Sequence, residues 1–173
     1  MDEVILLTGT PGTGKTAAAG LFAGRAGFTV IGVNEVVGDD YLYMEGGSRV
    51  VDLNLLSEKI RGLIHGRCVV EGHLAHLLGI EGLVIVLRCH PKELEKRLAR
   101  RGFSGKKLEE NLEAEALDVC LVESLQRQGR VYEIDTTGLK PEEVAEAMLR
   151  IWEGYGGDFK PGRISWLEEY LEQ

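Results

Sequence analysis

"VILLTGTPGTGKTAAAG", residues 4–20, joins an apolar run, a glycine-rich turn and an alanine-rich segment. Val4–Thr8 reads as a buried strand and Lys15–Ala26 as a helix. Between them, Gly9-Thr10-Pro11-Gly12-Thr13-Gly14-Lys15-Thr16 satisfies G-x-x-x-x-G-K-[ST] in full, in the strand–loop–helix context the pattern requires. Its glycines let main-chain N–H groups turn inward as a concave nest for phosphate oxygens. The helix that follows adds the partial positive charge of its N-terminus at the same point. Lys15 is expected to reach the β- and γ-phosphates and Thr16 to offer its hydroxyl to Mg2+, so the anion predicted here is a nucleoside triphosphate. Position 17 is alanine, where many nucleotide kinases carry a second threonine; the backbone N–H remains.

The pattern of the opening repeats outward along the chain. Thr29–Val33 is a second short β-like run, Arg67–Glu71 and Leu83–Arg88 are apolar runs short enough to be interior strands, and Val131–Asp135 also reads as a strand. Helical spacing covers Leu53–His65, Glu93–Arg101 (entered at Pro91), Lys107–Gln128 and Pro141–Gly154, with a last amphipathic turn or two over Ile164–Leu171. Strands alternating with helices predict an α/β fold, a parallel sheet with helices on both faces, built as one domain over residues 1–173. Two stretches interrupt it. Asn34–Val51 is polar and without a clear period, and Arg100–Lys107, "RRGFSGKK", is basic and punctuated by glycine. Both read as mobile flaps.

Composition narrows the function classes. Twenty Lys and Arg against 28 Asp and Glu give a net charge of −8, which disfavours binding to a nucleic-acid backbone and suits a basic protein partner. No sequence-specific nucleic-acid contact is expected. Cys68, Cys89 and Cys120 are isolated, without metal-ligand spacing, and read as buried thiols of a reducing compartment. No apolar stretch approaches the roughly 20 residues that span a bilayer. The expected setting is the cytoplasm, with no membrane partner.

A nucleotide-binding loop of this kind needs a carboxylate at the tip of a neighbouring strand to orient the metal and its waters. In "CVVEGHLAH", residues 68–76, Glu71 ends an apolar run and is the candidate; the alternative is a surface glutamate closing a strand. His73 touches a phosphate, positions a water or caps the next helix, and His76 is a weaker candidate. Arginines delivered by a closing lid stabilise the charge that develops in phosphoryl transfer and exclude water. Arg101, immediately before Gly102, is the leading candidate. Arg97 and Arg100 are equally well read as solvated cations at a helix C-terminus, and Lys106 and Lys107 as groups that solvate the lid. Arg88, ending a strand, is a candidate for the crevice where such sheets bind ligands.

Taken together, "LLTGTPGTGKT", "VVEGHLAHLL", "VIVLRCHP", "RLARRGFSGKKLEENLEAE" and "IDTTGLKPEEV" resemble the adenylate kinase isoenzyme 6 group, small eukaryotic nuclear adenylate kinases and their archaeal relatives, also studied as coilin-interacting nuclear ATPases. The motifs follow the family's order from residue 4 to about 150, and the chain looks closer to the archaeal branch. The resemblance implies a P-loop fold with a five-stranded parallel core, an AMP-binding segment at about 32–55 and a lid at about 100–110. It implies ATP + AMP = 2 ADP with Mg2+, AMP or another nucleoside monophosphate as acceptor, and ATPase activity beside it. It further implies, as the alternative reading, an ATPase assembly factor that binds a small-subunit ribosomal protein on the 40S or 30S precursor; a third reading is a P-loop kinase of another small acceptor. Residue by residue, Gly12, Gly14, Lys15, Thr16 and the Ala17 amide fall on ATP-phosphate positions, Arg101 on the lid arginine and Lys140 near the adenine. The metal-side acid, often Asp in the family, is Glu71 here, and Asn34–Val51 matches poorly, with Arg49 as its only cation.

Overall fold

The computed structural model of the protein describes residues 1–127 and 129–173. Five strands form one wholly parallel sheet: β1 (Glu3–Thr8), β2 (Thr29–Gly32), β5 (Arg67–Glu71), β6 (Leu83–Arg88) and β7 (Val131–Asp135), in the order β2-β5-β1-β6-β7. This is the expected architecture. Both faces are covered, so inward-facing positions on the two sides are equally apolar and the central strands read as unbroken apolar runs. Ile5, Leu7, Ile85 and Leu87 point to one face, where Phe22 of α1 (Lys15–Ala26) and Met148 of α7 (Pro141–Trp152) meet them. Leu6, Val70, Val84 and Val86 point to the other, against Leu56 and Ile60 of α3 (Leu53–Leu63) and Leu121 of α6 (Val119–Arg127). The alanines of α1 explain themselves: Ala18 and Ala19 are fully buried, and small side chains bring that helix close to the sheet.

A third, smaller cluster holds the lid region. Leu94 and Leu98 of α4 (Pro91–Arg100) pack on Leu112 of α5 (Gly105–Ala116), with Phe103 and Tyr170 against them. The expected basic flap is therefore only a short connection, Arg101–Ser104, between two packed helices. The predicted single helix over 107–128 is divided: α5 ends at Ala116, Asp118 takes a left-handed φ of 56°, and α6 begins at Val119; Gln128 lies outside the described residues. Tertiary contact overrides propensity here, because the break lets the Asp118 carboxylate bind Arg88. Asn34–Val51 likewise has structure of its own: α2 (Val33–Val37), then an antiparallel hairpin of β3 (Tyr43–Glu45) and β4 (Ser48–Val50). The tail folds as a 3-10 turn at Gly156–Phe159 and a short α8, Leu167–Leu171, three residues shorter at its start than expected. No helix among the described residues is long and apolar enough to cross a membrane.

Candidate active site

Strand β1 has β5 on one side and β6 on the other, and the chain visits them in opposite directions, so a crevice opens at the carboxyl end of β1. The P-loop lies there. Gly9 must be glycine: with φ at 143°, a Cβ would collide with the Leu87 carbonyl oxygen of the adjacent strand. The Lys15 ammonium donates to the Gly9 and Thr10 carbonyl oxygens at 2.9 and 3.0 Å, folded back on its own loop. Lys15 is 9% exposed, and burial pushes its pKa down to about 8, with Arg101 assisting and Cys120 and Glu71 opposing.

A cavity of about 630 Å³ opens over the loop. From the P-loop come Gly12, Gly14, Lys15, Thr16 and Ala17; from the end of β5 come Glu71 and His73. Glu71 accepts a hydrogen bond from the Thr16 hydroxyl at 3.1 Å. The segment around Glu71 is pinned by Gly72, where a Cβ would stand 2.7 Å from the Val33 Cβ at the start of α2. Burial, helped by Lys15, His76 and Lys107, lowers the His73 pKa to about 4, so its ring is neutral across the working pH range and serves as a hydrogen-bonding group. Arg49 enters from the hairpin, and Arg101, Phe103, Lys107 and Asn111 from the lid side. Phe103 and Asn111 carry no motif signal of their own, although the four-residue spacing of Lys107 and Asn111 puts those two on one helix face. Lys107 lies over the Phe103 ring at 4.6 Å and donates to the Gly47 carbonyl at 3.1 Å, joining lid to hairpin across the cavity. It is thus part of the lining, whereas Lys106 is exposed and pairs with Glu110.

Other candidates lie elsewhere. Arg97 donates to the side chain and carbonyl of Thr136 at 3.2 and 3.0 Å, fastening α4 to the loop after β7. Arg100 and Lys140 are exposed and outside the cavity lining; the Lys140 N–H donates to the Glu143 carboxylate as α7 begins. His76 is buried, shares a 2.6 Å hydrogen bond with Thr8, and its Nε2 stands 3.6 Å from Glu123. Arg88 does not reach into the crevice. It is 1% exposed and held by Glu115 at 2.9 Å, Glu133 at 3.0 Å and Asp118. Burial opposes its charge, but Glu115 and Asp118 outweigh that and raise its pKa.

A family model described as an AAA domain matches residues 5–118. A protein of Archaeoglobus fulgidus is 46% identical, with 96% of this chain and 93% of that protein covered, and one of Thermococcus onnurineus is 42% identical with the same coverage; both bear the name "Putative adenylate kinase". The chain belongs to this archaeal adenylate kinase family. Solved structures add the fold: shikimate kinase from Acinetobacter baumannii superposes with a TM-score of 0.65 at 14% identity over 88% of this chain and 94% of that one. A sugar kinase from Janibacter gives 0.59 at 13% identity over 94% and 100%.

The buried Lys15 has a measurable consequence. A polyphosphate placed beside it favours the charged form, so nucleotide binding raises its pKa from about 8. Calorimetric titration of ATP at pH 8.5, in two buffers of different ionisation enthalpy, is expected to show net uptake of upward of roughly half a proton, because most Lys15 side chains begin neutral there. Uptake that persists in Lys15→Ala would assign the proton to another group.

Proposed function

We propose that the chain transfers the γ-phosphoryl group of ATP to AMP, giving two ADP. One observation carries this reading: the P-loop, the hairpin with Arg49 and the lid with Arg101 and Lys107 all face one cavity. Two cationic flanks around a phosphate nest are what a kinase needs and a simple hydrolase does not, since a kinase must keep water from its γ-phosphate. We assign the acceptor segment to residues 32–55 and the lid to 100–110, and the hairpin–lid contact through Lys107 supports that division. The run "RLARRGFSGKKLEENLEAE" supports kinship with the isoenzyme 6 group.

Roles follow from the geometry. Lys15 leaves its two carbonyl partners for the β- and γ-phosphates, and the amides from Gly12 to Ala17 receive phosphate oxygens. Thr16 and Glu71 are adjacent oxygen donors of the type Mg2+ takes, and among the described residues no cluster of three or more His, Cys, Asp or Glu could hold a metal without the nucleotide. A magnesium ion accompanying the nucleotide would be held by Thr16 and Glu71 and would supply positive charge against the charge that develops on the phosphates. Arg101 meets the transferring group from the lid, and neutral His73 offers a hydrogen bond from below. Cysteines that are all unpaired support a cytoplasmic setting. The exposed carboxylates Glu109, Glu110 and Glu113 support the second reading, ATP hydrolysis in the service of a basic protein such as one from the small ribosomal subunit.

ADP formation from Mg-ATP with and without AMP tests the choice. The expected result is at least about tenfold faster ADP release with AMP at saturating ATP. AMP-independent turnover of equal rate would sink the kinase reading.

A further inference from the structure

Beneath the P-loop, on the side away from the cavity, lies a chain of buried polar contacts that the phosphate chemistry does not use. Thr10 is 3% exposed, and its hydroxyl donates to Glu115 at 2.6 Å. Glu115, 2% exposed, spends its other oxygen on the Arg88 guanidinium at 2.9 Å and the Cys89 N–H at 3.1 Å. Arg88 continues to Glu133 at 3.0 Å, and the second oxygen of Glu133 accepts the N–H groups of Gly162, Arg163 and Ile164 at 2.9, 3.0 and 3.3 Å. Trp166 closes the far end, its ring 5.0 Å from the Arg88 guanidinium. Every carboxylate oxygen of Glu115 and Glu133 has a partner, so the relay has one arrangement and a fixed length.

At the loop end, Thr10 touches both the buried carboxylate and the catalytic-loop lysine. The Thr10 side chain is held by Glu115, while its carbonyl accepts the Lys15 ammonium at 3.0 Å and the Thr13 hydroxyl at 2.9 Å. The orientation of the Thr10 peptide therefore fixes where the ammonium sits and how the loop behind it is braced. We propose that Thr10 and Glu115 are positioning residues for Lys15: the buried carboxylate, anchored through Arg88 and Glu133 to residues 162–164, holds the P-loop in the geometry from which Lys15 acts on the transferring phosphoryl group. This rests on the phosphotransferase reading above. A merely structural contact would move stability only.

Thr10→Val removes the hydroxyl at almost constant volume and leaves Glu115 bound to Arg88 and the Cys89 amide; Thr10→Ser keeps the hydroxyl. Steady-state kinetics of the full chain with ATP and AMP, well below the melting temperature of each variant, is the test. Thr10→Val is expected to lower kcat about tenfold, with a smaller change in the KM for ATP, and Thr10→Ser to restore most of it. In a Lys15→Ala background, Thr10→Val is expected to cost nothing further, because the group it positions is gone. Wild-type kcat in folded Thr10→Val, or the same tenfold loss without Lys15, overturns the inference while the kinase reading stands. A wild-type chain with no AMP-dependent turnover overturns both.

Discussion

Lys15→Ala is expected to lower AMP-dependent ADP formation by about 100- to 1,000-fold, while the melting temperature stays within a few degrees of wild type. The two halves of that result have one cause. Among the described residues no carboxylate lies within hydrogen-bonding distance of the buried Lys15, its ammonium is satisfied by the Gly9 and Thr10 carbonyls, and burial depresses its pKa to about 8. Such a group contributes little to folding, since the charged form has been taken from water for two neutral acceptors. Its value is realised when negative charge spreads over the transferring phosphoryl group in a site from which water is excluded. A large loss of kcat with a smaller rise in the KM for ATP is the expected signature, and stopped-assay measurement of ADP at saturating ATP reads it. Near-normal turnover in folded Lys15→Ala would remove the P-loop from the chemistry.

What could be read from the sequence divides along the range of the interactions that determine it. The unit β1–P-loop–α1 is local: an apolar run, a loop with glycines at 9, 12 and 14, and a helix occupying the predicted residues Lys15–Ala26. Strands β5 and β6 are equally legible, because both-face burial leaves short apolar runs with sharp ends. The hairpin β3–β4 left no such mark. Its residues are exposed on both faces apart from Val50, so no alternation is written into them. The division between α5 and α6 escaped for the opposite reason: no Gly or Pro interrupts residues 106–127, and the break is imposed by Arg88, 30 residues earlier. Arg88, at the carboxyl end of a strand, is a crevice candidate from sequence alone; the acidic partners that hold it buried lie 27, 30 and 45 residues further on. Among the residues that line the cavity, Lys15, Thr16, Glu71, His73 and Arg101 are legible as candidates from motif and spacing. Thr10 and Glu115 were not, since nothing in sequence links two residues 105 positions apart.

Arg88→Met is expected to destabilise the fold by about 3–5 kcal/mol, a fall in melting temperature on the order of 10 °C for a chain of this size. Among the described residues, the Arg88 guanidinium is the one cation paired with Glu115, Glu133 and Asp118, and Glu115 and Glu133 are each about 2% exposed. Methionine fills much of the volume of the arginine stem, so the penalty comes chiefly from the carboxylates left behind and not from a cavity. That attribution has its own check. Adding Glu133→Gln to Arg88→Met removes one orphaned charge yet keeps a side-chain oxygen for the N–H groups of residues 162–164. The double variant is then expected to melt higher than Arg88→Met alone, although Glu133→Gln lowers the melting temperature of the wild-type chain. Thermal unfolding followed by far-UV circular dichroism measures all four proteins of the cycle. Additive losses would mean that Arg88 stabilises the fold through packing against Trp166, and the buried charges beneath the P-loop would then be independent of one another.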